Sequence, residues 1–151
     1  MSIIGAIVAG LVGTIAMSLA LAGAPQMGMQ KMDLVGMLGA TFNPQANRIL
    51  GWAMHLLLGI LFSFAYAALW AAGIGTPDVT VGLVFGIVHW LIAGLLMGLL
   101  ANFNAGMRAG TVKAPGRYML QLGGSMGFFG GLMAHIIYGL TVGLVYGIFR
   151  M

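Results

Sequence analysis

Four stretches of this chain, residues 3–23, 49–72, 79–101 and 128–149, are almost wholly apolar and hold no Asp, Glu, Lys or Arg. A helix needs about 20 apolar residues to cross the roughly 30 Å hydrocarbon layer of a membrane, and each stretch reaches that length. A side chain population that is 61% hydrophobic and 5% charged cannot coat a water-soluble domain of 151 residues. The expected fold is therefore all-α, an integral membrane four-helix bundle forming one transmembrane domain over residues 1–151. Connections at 24–48 and 102–127 join the spans, and nothing remains for a soluble domain.

The formal charge of +4 would suggest a nucleic-acid partner in a soluble protein. Here it is a topology signal, because basic residues collect in cytoplasmic loops. Lys31, Arg48, Arg108, Lys113 and Arg117 fall in or beside the two long connections, and Arg150 alone falls on the other side. The expectation is a multi-pass protein of the cytoplasmic (inner) membrane with both connections inside, both termini outside and no nucleic-acid partner. Ala22, Gly23 and Ala24 offer small residues at signal-cleavage spacing, but Pro25 follows them and no basic segment precedes the apolar run, so the first stretch reads as a helix. The absence of cysteine excludes disulfides, thiolate metal sites and cysteine nucleophiles.

Gly51, His55, Gly59 and Tyr66 of the second stretch return as Gly131, His135, Gly139 and Tyr146 of the fourth. Small residues recur every fourth position around them: Gly51, Gly59, Ser63 and Ala67 in the second, Gly127, Gly131, Gly139, Gly143 and Gly147 in the fourth. The same shift sets Gly10, Thr14 and Ser18 of the first stretch against Trp90, Gly94 and Gly98 of the third, with Gly86 opening that stripe opposite Ala6. This pattern predicts two tandem two-helix hairpins, a parallel internal repeat in which the second and fourth helices run the same way. Residues four apart share a helix face, so the stripes are grooves where a neighbouring backbone can come close, which is how helices associate in lipid.

Apolar residues such as Met32, Val35, Met37 and Leu38 interrupt the polar first connection, and either connection reads as a short amphipathic segment in the headgroup region. Residues 72–78 read as a tight turn, with Pro77 and Asp78 opening the third helix. Tyr66, Trp70 and Tyr146 are placed in an outer aromatic belt, and Trp52, Phe103, Tyr118, Phe128 and Phe129 in an inner one. Trp90 fits neither belt: it fills space among glycines or stacks on something bound.

His55 and His135 each lie about 10 Å in from the cytoplasmic end of their helices, at 1.5 Å per residue. One reading has each imidazole pin the packing through a hydrogen bond to a hydroxyl such as Thr14 or Ser18. The other makes the pair coordinating ligands, since neutral imidazole is the usual nitrogen ligand for iron, copper and zinc. Haem b is the most concrete form, with Gly51, Gly59, Gly131 and Gly139 clearing space for the macrocycle. A copper or zinc ion on the same two histidines is the lesser form. The thirteen methionines read as apolar filler.

Asp33 and Asp78 are the only acids, and both fall in connections. A coupled carrier usually needs an ionisable group in mid-membrane, and only His89 is available. No nucleophile stands in an evident relation to a base and an orienting acid, and no glycine-rich phosphate loop follows a strand. The leading expectation is a non-enzymatic membrane protein, an accessory or assembly subunit of a larger complex or a homo-oligomer, with lipid and other membrane subunits or itself as partners. A haem- or metal-binding redox protein is the first alternative, and a small channel or carrier the second.

GTIAMS at 13–18, MDLVGML at 32–38, GWAMHLLLG at 51–59, FGIVHWLIAGLLMG at 85–98 and AHIIYGLTVGLVYG at 134–147 resemble the motifs of a family of small, uncharacterised four-pass bacterial membrane proteins. The resemblance implies four membrane helices over most of the chain. It supplies no activity and no catalytic residues.

Overall fold

The structure is a computed structural model that describes residues 1–29 and 31–150. Among the described residues seven α-helices follow in order: α1 (Ile3–Gly23), α2 (Leu34–Gly39), α3 (Arg48–Ala71), α4 (Val79–Leu96), α5 (Leu100–Phe103), α6 (Ala105–Arg108) and α7 (Leu120–Ile148), with short 3-10 turns between some of them and no strand. Four segments built on α1, α3, α4 and α7 are long and apolar enough to cross a membrane: Ile3–Gln26, Arg48–Ala71, Val79–Phe103 and Arg117–Ile148. The fourth is helical from Leu120, eight residues ahead of the expected start at 128, and Gly124, at φ 55° and ψ −140°, kinks it. Only glycine adopts that backbone without strain.

The chain divides into two compact units, one of Met1–Ala20, Leu56–Trp90 and Leu132–Met151, the other of Leu21–His55 and Leu91–Gly131. Within the first, α4 and α7 run antiparallel in four-residue steps. A Cβ on Gly82 would strike the Gly139 carbonyl, one on Gly86 the His135 carbonyl, and one on Gly143 the Asp78 carbonyl. The backbones themselves are therefore in contact. A Cβ on Gly10 would lie 2.6 Å from Ile60 Cα, and one on Gly59 would overlap Thr14 Oγ1, so α1 meets α3 in the same way. Glycines without side chains thus face carbonyls and Cα atoms here.

Tyr66, Trp70 and Tyr146 lie inside this unit, 4%, 6% and 1% exposed, and not in a surface belt. Trp70 stacks between Tyr146, at 5.3 Å and 18°, and Phe85, at 5.5 Å and 26°. Ser2 donates its backbone N–H to the Tyr146 hydroxyl at 3.0 Å, which gives the ring's polar end a partner without water. The turn between α3 and α4 carries Gly73 and Gly75 at φ 83° and 71°. Asp78 then caps α4 by accepting from Val81 N–H at 2.9 Å.

The second unit is built on the two long connections. Asp33 caps α2 by accepting from Gly36 N–H at 3.0 Å and pairs with Arg48 at 2.9 Å. α2 is not a headgroup strip: Val35, Met37 and Ala40 are 8%, 5% and 0% exposed, and the Val35 carbonyl occupies the space where Gly51 lacks a side chain. Asn104, itself buried, caps α6 through Met107 N–H at 3.0 Å and donates Nδ2–H to the Met37 carbonyl at 2.8 Å. Ala105 and Gly106 N–H donate to the Thr41 and Ala40 carbonyls, both at 3.0 Å, and the Thr111 hydroxyl donates to the Pro44 carbonyl at 2.7 Å. The connections are hydrogen-bonded to each other.

Candidate functional site

Because Gly86 has no side chain, α4 rides directly on the His135 carbonyl of α7. His89 and Trp90 stand one turn further along α4, on the same face, and both rings reach His135. The His89 and His135 centroids are 4.7 Å apart at 88°, and Trp90 and His135 are 5.0 Å apart at 40°. On the other side of His89, Phe62 lies at 3.9 Å and the Tyr66 hydroxyl is 3.3 Å from Nδ1. Tyr138, one turn beyond His135, packs at 5.6 Å from His89 and donates its hydroxyl to the Gly59 carbonyl at 2.5 Å.

The result is a pair of imidazoles and a pair of phenols inside segments long and apolar enough to cross a membrane. His135, Tyr66 and Tyr138 are buried, and His89 is partly accessible. Polar groups of this kind in a span are rare, because each must be satisfied without water, and they mark candidate functional positions. Ser63 is fully buried and its hydroxyl has no hydrogen-bond partner; the carbonyl four residues back, Gly59, already receives Tyr138. No group of three or more His, Cys, Asp or Glu forms a metal-ligand cluster among the described residues.

One family model matches the chain from residue 1 to residue 151. The chain belongs to DUF6789, a family of unknown function. No curated protein and no solved structure matches it. Membership agrees with the resemblance to an uncharacterised family drawn from the motifs.

The residues singled out in the sequence are distributed over both units. His135, Gly59 and Gly139 belong to the first, while His55, Gly51 and Gly131 belong to the second. His55 is 7% exposed, and its ring lies 6.1 Å from Trp52 at 50°. Thr14 and Ser18 turn their hydroxyls back onto the carbonyls of Gly10 and Thr14, each at 2.7 Å, so their protons serve α1 itself. Trp90 is wholly buried and fills space beside His135. In the second unit a Cβ on Gly94 would enter the Tyr118 ring, one on Gly98 would lie 2.6 Å from Arg117 Cγ, and one on Gly127 would lie 2.6 Å from the Met119 carbonyl. Tyr118 and Met119 follow one another at φ 53° and 60°, a left-handed pair of non-glycine residues. Each such residue costs on the order of 1 kcal/mol, offset by the packing of Tyr118 on Gly94 and Phe128.

Sequence reasoning left His89 outside the histidine pair and passed over Tyr138 and Asn104. A signal existed for each. His89 follows stripe residue Gly86 by one turn, Tyr138 follows His135 by one turn, and Asn104 precedes a short helix as an N-cap residue does.

The two acids lie outside the spans. Partial burial pushes the Asp33 carboxyl up, but the Gly36 N–H, the Arg48 guanidinium and Lys31 outweigh it and hold it below the usual carboxylate range. The Thr76 hydroxyl and the Val81 N–H hold Asp78 below that range too.

Proposed function

We propose that the chain is a non-enzymatic multi-pass integral membrane protein that serves as an accessory or assembly subunit, docking on a larger complex or on a second copy of itself. The observation that carries this reading is the folded pair of connections. Loops longer than about 12–15 residues are uncommon in compact folds, and ordered ones usually serve a function. These two are tied by Asn104, Thr111 and two backbone hydrogen bonds; Arg108 and Lys113 are exposed on them, and Asn43, Gln45, Asn47 and Arg48 line an open concavity. The connections carry one acid, Asp33, which is paired with Arg48, so their positive charge is in excess. A partner with an acidic face fits that surplus.

The glycine faces do not supply the docking surface. Those of Gly10, Gly59, Gly82, Gly86, Gly139 and Gly143 are occupied by the chain's own backbone or by Thr14. In this reading they hold the spans together as small-residue packing in two tandem hairpins, which accords with α3 and α7 running the same way where Trp70 meets Tyr146 and Tyr66 meets Tyr138. The excess of basic residues in the connections supports a cytoplasmic side for them and outside termini.

Crosslinking through Lys31 and Lys113 in native membranes, followed by extraction in mild detergent, tests the reading. The expected product is a crosslinked partner or dimer that weakens when Arg108 is changed to Gln with both lysines kept. A chain that stays monomeric and uncrosslinked overturns it.

A further inference from the structure

We propose that the concavity at the start of α3 binds the phosphodiester headgroup of an anionic phospholipid, with Arg48 as its charged contact and Trp52 against the upper part of the acyl chains. The site requires, of the accessory-subunit reading, only that α3 crosses a membrane, and it requires no protein partner.

The concavity measures about 590 Å³, within the range of small-ligand sites. Its wall runs through Asn43, Gln45, Asn47, Arg48 and Ile49 and includes no Asp or Glu. Both asparagines have committed their carbonyl oxygens: Asn43 Oδ1 accepts from Gln45 N–H at 3.0 Å, and Asn47 Oδ1 accepts from Ile49 and Leu50 N–H at 3.0 and 3.1 Å. An amide whose oxygen meets backbone N–H leaves its NH2 group as the donor for a ligand. Arg48 spends Nη1 on Asp33, at 2.9 and 3.2 Å, and its Nε–H and Nη2 donate to nothing among the described residues. The side chains therefore present N–H donors around a guanidinium, and such a set suits an anion. The first turn of α3 is not the anchor, because Asn47 already caps it.

The surroundings favour a lipid over a soluble anion. Ile49 and Phe42 are 84% and 75% exposed, and Trp52, one turn after Arg48 on the same face of α3, is 41% exposed. A soluble anion would leave these side chains in water, whereas a bilayer covers them. The segment able to cross a membrane begins at Arg48 itself, which sets the guanidinium at headgroup height and Trp52 just below, where indole rings are enriched.

Charge then selects among lipids. Lys31, Arg48, Arg108, Lys113 and Arg117 all belong to this unit, whose one acid is Asp33, so an anionic headgroup is preferred to a zwitterionic one. The Thr111 hydroxyl donates at 2.7 Å to the carbonyl of Pro44, which lies between Asn43 and Gln45. Lys113 follows Thr111 by two residues, a chain length of about 7 Å, and adds a second cation near that wall.

The test uses the full chain in nanodiscs of phosphatidylcholine doped with a minor fraction of acyl-brominated phosphatidylglycerol or acyl-brominated phosphatidylcholine, and reads the quenching of tryptophan fluorescence. Trp70 and Trp90 are buried, and Trp52→Phe supplies their baseline. Brominated phosphatidylglycerol should quench Trp52 as though enriched roughly 5-fold over the choline lipid, the factor that one cation at the surface supplies. Arg48→Gln should remove that preference, and Asp33→Asn, which releases Nη1, should raise it. Asn47→Asp keeps the α3 cap but exchanges a donor for a carboxylate, so it should abolish the preference in a chain that stays folded. Arg108→Gln, and inorganic phosphate at millimolar concentration, should leave it unchanged. Equal quenching by the two lipids would overturn the site and leave the span and the subunit reading standing. No quenching by either would put Trp52 outside the bilayer and overturn the crossing of α3 as well. A loss in Arg108→Gln equal to that in Arg48→Gln would reduce the preference to general surface charge, and displacement by phosphate would make the site one for a soluble anion; each overturns the assignment.

Discussion

The hydroxyl of Tyr138 on α7 donates to the carbonyl of Gly59 on α3 at 2.5 Å, and in doing so it takes the acceptor that Ser63 would ordinarily use. A serine inside a helix commonly bonds the carbonyl four residues back. Ser63 is left fully buried without a partner, so the two hydroxyls compete for one oxygen. Tyr138→Phe should cost about 0.6–2 kcal/mol, the range of interhelical hydrogen bonds in membranes. Ser63→Ala should be near neutral in the wild type and destabilising in the Tyr138→Phe background, because Ser63 then inherits Gly59. A double-mutant cycle read by unfolding in mixed micelles checks this. Strict additivity would show that the hydroxyls do not share the carbonyl.

Backbone contact between α4 and α7 makes a second expectation sharp. Gly82→Ala and Gly139→Ala each drive a methyl into a carbonyl of the opposite helix, and each should destabilise by about 1–3 kcal/mol, the usual cost of overpacking. Gly23→Ala meets nothing within 4 Å and should be neutral or slightly stabilising. The three melts compared in one detergent check it, and equal stability of all three would mean that α4 and α7 do not touch through their backbones.

These contacts also explain what was legible in the sequence. The four spans could be read directly because apolar length is a one-dimensional property of the chain. The pairing of His89 with His135 could not. It depends on α4 lying against α7 in an antiparallel register that sets Gly82 on Gly139, and no pattern within either helix carries that register. Tyr66, Trp70 and Tyr146 read as a belt because interfacial and buried aromatics have the same composition, and only the rotation of each helix about its axis separates them. The folding of the two connections onto each other was hidden for a related reason: Asn104 bonds the Met37 carbonyl, a backbone atom that has no signature in sequence.

Asp33 gives the second unit an acid-sensitive joint. Its folded carboxyl lies below the ordinary value of 3.8, so its contribution to stability is present above that pH and is lost as pH falls through the lower, folded value. The helix cap is worth about 0.5–2 kcal/mol and the exposed Arg48 pair at most about 1. Asp33→Asn keeps the cap, removes the pair and should flatten the acid limb of a stability-versus-pH curve with little change at neutral pH. An acid limb as steep in the variant as in the wild type would assign the titration elsewhere.

Asn104 offers the clearest separation of the connections from the spans. Asn104→Ala removes the α6 cap and takes from the Met37 carbonyl its side-chain donor, leaving it the Ala40 N–H at 3.3 Å, a combined loss of about 1–3 kcal/mol. Asn104→Asp keeps the capping oxygen but cannot donate to Met37, and it places a carboxyl in a site that is 3% exposed, so it should be worse. Both effects are local. Hydrogen exchange should speed up at the Ala105 and Gly106 amides, which bond the Thr41 and Ala40 carbonyls, while amides in the middle of α3 and α7 keep their protection. Loss of protection throughout the spans at the same rate would mean that the connections and the spans unfold as one, and that the folded connections are not an independent platform for a partner.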